Sequence, residues 1–298
     1  MCKQLCSAAR IASMATAVLT GLFFTNPTQA QNLGLEGPTG VFVTPIAYTV
    51  ASPSNSIGKP SLGFHFLNGG DVIGYFSKIS VTAGAFNRLE FGYTRDVHQT
   101  ADNPSLSPLW HNGFNIAHAK VNIIRENTGK HNWIPAISGG FLLRTQVHNV
   151  GGAITGKDTH NGDVYIVATK TITETGAMPI MLSGGFRGTN AELYGMAGNA
   201  TRFQGRAFGA VAFVFKGPRK SSVVFASEVA QQPPHPENLG AAQIPTTFTY
   251  AVRVAPSPEG PLSKFNVDFG IAQIANHILP GADLKSRHQV AIGISYGF

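Results

Sequence analysis

Residues 290–298 read V-A-I-G-I-S-Y-G-F. Val290, Ile292, Ile294, Tyr296 and Phe298 fall on one face of a strand. Ala291, Gly293, Ser295 and Gly297 fall on the other, because strand side chains alternate with period two. One face is apolar and ends in two aromatics, while the other is small or weakly polar. A final strand with nothing after it to cover its apolar face suits a sheet that meets lipid. An aromatic near the water boundary is the pattern of a membrane-barrel strand. The competing assignment is the last strand of a soluble sandwich, which the rest of the chain has to exclude.

Composition points the same way. Charged residues make up 12% of the 298, against about 25% in an ordinary soluble domain. A soluble chain of this length needs more charge to clothe its surface. A barrel bathed in lipid needs little, and the 34 glycines suit crowded walls and tight turns. Lys3 and Arg10, the apolar run 11–24 and the small residues Thr28-Gln29-Ala30 predict a secretory signal over residues 1–30. That run is shorter than the roughly 20 apolar residues a spanning helix needs. Cleavage takes the formal charge from +7 to +5 and removes both cysteines, Cys2 and Cys6. Disulfides, thiolate nucleophiles and cysteine metal sites are then excluded from the mature chain. The basic excess is diffuse, with no Lys/Arg stripe interleaved with aromatics, so nucleic acid is not an expected partner.

Residues 31–60 are punctuated by Gly37, Pro38, Gly40, Pro45, Pro53 and Pro60, which argues for turns and extended pieces. We read them as a periplasmic or lumen-filling lead-in. Strand-like windows then recur at 61–67, 75–86, 88–96, 113–125, 133–147, 163–173, 179–188, 205–215, 221–231, 246–255, 263–274 and 290–298. Leu89, Phe91 and Tyr93 share one face, for example, with Glu90 and Thr94 on the other. Most windows are about ten residues long, the length of a tilted membrane-spanning strand. No segment of the mature chain keeps a helical period over three turns. The connectors alternate between short, as at Asn87 or 217–220, and long, as at 97–112, 148–162, 189–204, 232–245 and 275–287. Short periplasmic turns and longer external loops give that alternation. The expected fold class is all-β: a single antiparallel transmembrane barrel of about 12 strands, residues 61–298. Trp110, Trp133, Tyr75 and Tyr250 are candidate interface aromatics.

Three stretches carry a resemblance. They are Gly37-Pro38-Thr39-Gly40-Val41-Phe42-Val43-Thr44-Pro45, Leu89-Glu90-Phe91-Gly92-Tyr93-Thr94-Arg95 and the terminal Tyr296-Gly297-Phe298. Together they resemble a proteobacterial outer-membrane barrel family of unknown function, distantly similar to the barrels encoded with exopolysaccharide operons. The resemblance implies the outer membrane of a Gram-negative bacterium, reached after signal cleavage. It implies contact with outer-membrane lipid and with the barrel-assembly machinery, and envelope or polysaccharide-export partners. Val290, Ile292, Ile294, Tyr296 and Phe298 look like the C-terminal signal read during barrel assembly. No cofactor and no catalytic residue follows from it.

The inward faces supply the candidate functional residues: Arg88, Glu90, His118, Lys120, Arg144, Arg187, Arg206, Glu228, Arg253, Lys264 and Asp268. Cations outnumber acids in this set, and a lumen of unpaired cations would attract anions. The expected function is a pore for small polar or anionic solutes. The alternatives are charge pairs that brace a closed lumen, and an accessory barrel acting through envelope partners. A rim hydrolase is the third option, drawing on His98, His111, His148 and His160 with Ser105, Ser107, Asp102, Asp158 and Asp163. Triads are defined by geometry, and no G-x-S-x-G occurs near a strand-to-helix turn. His98, His111 and His118 are too spread for a compact metal motif.

Overall fold

In the computed structural model, residues 32–100, 107–129, 132–173, 175, 178–233, 246–273 and 289–298 are described. The leader, Asp102, Ser105, the expected loop at 275–287 and all but the first two residues of the one at 232–245 lie outside them. Twelve strands form one closed antiparallel barrel in which each strand pairs with its sequence neighbours and β1 closes on β12. The strands are β1 (Ser61–Asn68), β2 (Tyr75–Ala85), β3 (Leu89–Gln99), β4 (Phe114–Ile124), β5 (Ala136–Gln146) and β6 (His160–Ile172). They continue as β7 (Ile180–Leu193), β8 (Ala197–Lys216), β9 (Ser222–Ala230), β10 (Thr247–Ala255), β11 (Phe265–Gln273) and β12 (Gln289–Gly297). Among the described residues no helix is long and apolar enough to cross a membrane; the crossing is made by strands.

Alternation decides which way each side chain points. Leu62, Phe64, Phe66, Phe91, Val121, Phe141, Ile166, Val267, Phe269, Ile292 and Ile294 are exposed on the outside. Their neighbours in sequence face the lumen. An apolar belt around a closed barrel is what a bilayer accepts, since every backbone group is paired within the wall. On β12, Val290, Ile292 and Ile294 lie outside while Ala291 and Ser295 are buried inside, as the opening stretch predicts. Gly293 is small for a reason: a Cβ there would collide with the His65 ring of β1.

One connector differs from expectation. The expected loop at 189–204 is mostly strand, because β7 and β8 continue beyond it and meet at a turn of three residues, Tyr194 to Met196. Register shifts between Thr189, Ala191 and Leu193 break the ladder there. Bulges of this kind bend a hairpin and spoil its period-two pattern. The tip folds inward, so Ala191, Leu193, Tyr194, Met196 and Ala197 are all buried. Trp110 is a second correction. It is buried, not at a membrane interface; its indole donates to the Met196 carbonyl at 2.7 Å, and it meets Phe76 edge-on. Trp133 and Tyr250, in contrast, are exposed on the outside.

Candidate functional site in the barrel lumen

The lumen is filled from within. Residues 32–50 fold into a compact knot inside the barrel, closed by their own backbone bonds. Gly34 N–H donates to Pro38 (2.7 Å), Leu35 to Phe42 (2.7 Å) and Gly40 to Asn32 (2.9 Å). The glycines and prolines that mark this stretch make such turns possible. Gly37 holds φ at +104°, and a side chain there would strike Thr94 and His118 of the wall. Leu33, Leu35, Val41, Phe42, Ile46, Ala47 and Val50 are buried. From the knot, the chain passes the β2–β3 turn, where Gly58 N–H donates to Gly84 at 2.8 Å and Phe86 N–H to Ser56 at 3.0 Å. It then enters β1.

The wall grips the knot through its charged residues. Glu90 accepts from the Thr39 amide (2.9 Å), the Thr39 hydroxyl (2.8 Å) and the Val50 amide (2.8 Å). Glu228 accepts from the amides of Phe42 (2.9 Å), Val43 (3.0 Å) and Thr44 (2.8 Å) and from the Thr44 hydroxyl (2.6 Å). Three successive N–H groups converging on one carboxylate form an anion nest. Arg253 donates to the Val41 carbonyl at 2.9 Å. Lys120 donates to the Thr39 hydroxyl and to the Ile46 carbonyl (3.2 Å). Asn122 and Ser138 donate to the Ala47 carbonyl (2.9 and 2.5 Å), and Thr169 accepts from its amide (2.8 Å). Arg144 holds Glu36 with two bonds of 2.7 Å. The contacts thus come from β3, β4, β5, β6, β9 and β10.

The wall charges also pair with each other. Lys78 faces Asp96 across β2–β3 (3.2 Å), Glu90 faces Lys120 across β3–β4 (3.0 Å), and Arg253 faces Asp268 across β10–β11 (2.5 Å). Asp163 of β6 takes Arg144 at 2.7 Å and Arg187 at 3.0 Å. Directly opposed charges on one face are the strongest positions for such pairs. Small cavities lie between knot and wall. One, of about 30 Å³, lies among Leu35, Phe42, Leu67, Tyr194, Met196 and Glu228. The other, of about 10 Å³, lies among Glu36, Pro38, Leu142 and Arg187. A single water needs about 10–15 Å³, so the first has room for about two or three and the second for about one.

Of the inward residues expected from the sequence, Glu90, His118, Lys120, Arg144, Arg187, Glu228, Arg253 and Asp268 are buried in the lumen. Arg206 is half-buried on β8, where it donates to the Gln204 side chain. Arg88 and Lys264 lie elsewhere, both exposed at strand ends. Phe86 and Asn87 turn the chain with positive φ before Arg88, which donates to the Asn122 and Ile123 carbonyls at 3.1 Å. Lys264 precedes β11 and lies 5.8 Å from the Tyr296 ring. The expectation of unpaired cations is corrected at Lys120, Arg144, Arg187 and Arg253, each of which has an acid partner. Lys78, Asp96, Asp163 and Glu36 complete the set. Lys78 and Asp96 were recoverable from parity, since each sits beside an outward or boundary position; Glu36 had no periodic signal around it.

The rim histidines are engaged separately. His98 is buried with its Nε2 2.6 Å from the Ile73 carbonyl. His160 pairs with exposed Asp158 at 2.7 Å. Amide and ring bonds from His160 hold the Asp158 carboxyl below its ordinary range. Asp163 is taken by Arg144, Arg187 and Thr189. Among the described residues no group of three or more His, Cys, Asp or Glu is placed to hold a metal ion.

A family profile described as "Protein of unknown function (DUF3034)" matches residues 34–243, from the luminal knot through β9. The chain belongs to that family. Solved barrels are similar to it at low identity. The NanC porin aligns at 9% identity with a TM-score of 0.50, covering 80% of this chain and 100% of that one. The KdgM porin aligns at 9% identity and TM-score 0.45, covering 80% and 99%. An outer membrane channel from Pseudomonas putida F1 aligns at 10% identity and TM-score 0.42, covering 83% and 97%. Among curated proteins, nothing matches. A closed barrel of this form with an apolar belt is consistent with the outer membrane.

Proposed function

We propose that this protein is an outer-membrane transport barrel for small polar or anionic solutes, closed at rest by its own residues 32–50, and that passage requires this knot to move. The observation that carries the reading is the way the knot is held. Its polar grip runs through Glu90, Glu228, Arg144 and Arg253, bonds that can each be exchanged for water, beside the apolar packing of Leu35, Val41, Phe42 and Ile46. Lys78, Lys120 and Arg253 keep cross-strand acid partners of their own, so those braces remain when the knot leaves. In this proposal residues 1–30 are the cleaved signal, 31–60 the gate and 61–298 the barrel. N-terminal sequencing of the protein recovered from outer membranes tests the first boundary.

The gate is testable because the chain after residue 30 contains no cysteine. A Cβ on Gly195 lies 3.9 Å from Val43 Cβ, within the disulfide range of about 3.5–4.5 Å. Gly195 holds φ at +79°, so the reduced double variant Val43→Cys/Gly195→Cys is the reference; oxidised in planar bilayers it is expected to lose conductance relative to that state and to regain it on reduction. Reversal potentials in a salt gradient report the charge preference. Equal conductance in both redox states, or none above background in either, refutes the gate. The second outcome favours the accessory reading instead, in which the filled barrel is a rigid scaffold for envelope partners. The distant resemblance to exopolysaccharide-operon barrels makes polysaccharide-export proteins the partners to seek in a pull-down.

A further inference from the structure

Charge balance around the lumen singles out one place. Lys78, Lys120 and Arg253 each face one acid across the ladder. Arg144 and Arg187 share a single wall acid, Asp163, whose Oδ2 accepts from both at 2.7 and 3.0 Å. This corner of the wall therefore carries an excess positive charge, fully buried. What neutralises it comes from the knot: Glu36, the only charged side chain within residues 32–50. Its two oxygens meet Arg144 Nε and Nη2, each at 2.7 Å. That is the two-pronged geometry by which a guanidinium recognises a carboxylate.

A second observation points to a ligand at the same place. Arg187 is buried, stacked 3.9 Å over the Tyr194 ring, yet among the described residues its Nε–H has no hydrogen-bond partner. Arg187 and Glu36 border the smaller cavity. A buried charged donor left without an acceptor is costly, and the excess charge remains on the wall whenever the knot departs.

We infer that Arg144 and Arg187 form a carboxylate-binding site, which Glu36 occupies in the closed barrel and a carboxylate-bearing solute takes when the knot leaves. The solute's role rests on the gate proposed above; the site itself does not. Sodium acetate is the probe, with sodium chloride at equal ionic strength as reference, and the readout is thermal unfolding of the purified mature protein in detergent. Glu36→Ala removes the resident carboxylate and leaves its space; acetate is expected to raise the Tm of this variant saturably, as a ligand of the folded state does. Wild type, whose site is filled, and Glu36→Gln, whose amide blocks the space, are expected not to respond. If Glu36→Ala folds poorly, its refolding yield with acetate against chloride gives the same comparison. No response of Glu36→Ala by either measure, or an equal response of all three proteins, overturns the site. Failure of the gate would show in the disulfide experiment and leave this result untouched.

Discussion

Replacing Glu228 by Ala is expected to release the knot from the β9 side of the wall. Glu228 accepts four bonds from donors on the knot at 2.6–3.0 Å, three of them backbone amides. These amides point at the carboxylate and at nothing else in the lumen that can accept. Leaving a buried donor unpaired costs about 1–3 kcal/mol. Water entering from the adjacent cavity of about 30 Å³ can serve one or two of the three. One or two amides then stay unpaired, a loss of roughly 1–6 kcal/mol, which weakens docking of the knot between about fivefold and about twenty-thousandfold at 1.4 kcal/mol per decade. Glu228→Gln is expected to be milder, because the oxygen that takes most of the bonds is retained and one acceptor becomes a donor facing Val43. The assay is labelling of a single Val43→Cys by a polar thiol reagent, run beside bilayer conductance. Both rise in the order wild type, Gln, Ala. If Glu228→Ala folds, judged by its heat-modifiable mobility, and labels at the wild-type rate, the carboxylate does not hold the knot and the reasoning fails.

Other perturbations probe separate parts of the structure. Lys78 and Asp96 are both fully buried, so Lys78→Met alone should cost about 3–5 kcal/mol by stranding the partner charge, while Lys78→Met/Asp96→Leu should recover most of it; urea unfolding of the three barrels decides, and a double variant no better than the single refutes the pairing. Gly37→Val combines a positive φ with collisions at Thr94 and His118 and should undock the knot, read as faster Val43→Cys labelling with the barrel still folded. Ile292→Arg places a charge on the lipid face of β12 and should cost about 2–4 kcal/mol if it lies near the bilayer midplane, measured by folding into vesicles; a neutral result would mean this face does not meet hydrocarbon.

The wall was legible in the sequence because its physics is periodic. Lipid on one side and lumen on the other impose alternation, and Leu89, Phe91, Tyr93, Val290, Ile292 and Ile294 lie outside as that alternation requires. It failed where one of the two environments disappears. At 191–199 every residue is buried, because the hairpin tip has left the wall and has protein on both faces. Arg88 was misplaced because parity does not stop at a turn, whereas the backbone at Phe86 and Asn87 does. Pairing was harder to foresee than placement. Inward Lys120 and Arg253 could be found from their own strands, but their partners depend on register between strands, which no single strand encodes.

The knot explains why the lumen charges are arranged as pairs and remainders. Barrels of about eight strands fill their interior with wall side chains, while those of sixteen or more leave a channel. Twelve strands enclose an interior between those two limits, and here residues 32–50 occupy it. A neutral apolar filler would strand Glu228 on one side and the Arg144–Arg187 corner on the other. Residues 32–50 bring what each lacks, a nest of amides for Glu228 and the Glu36 carboxylate for the arginines. The cross-strand pairs keep the wall intact by themselves; the two unbalanced places are answered only by the knot. A wall built solely for stability would have balanced those charges within its own strands, so their dependence on a separate segment is the feature that favours a gate over a brace.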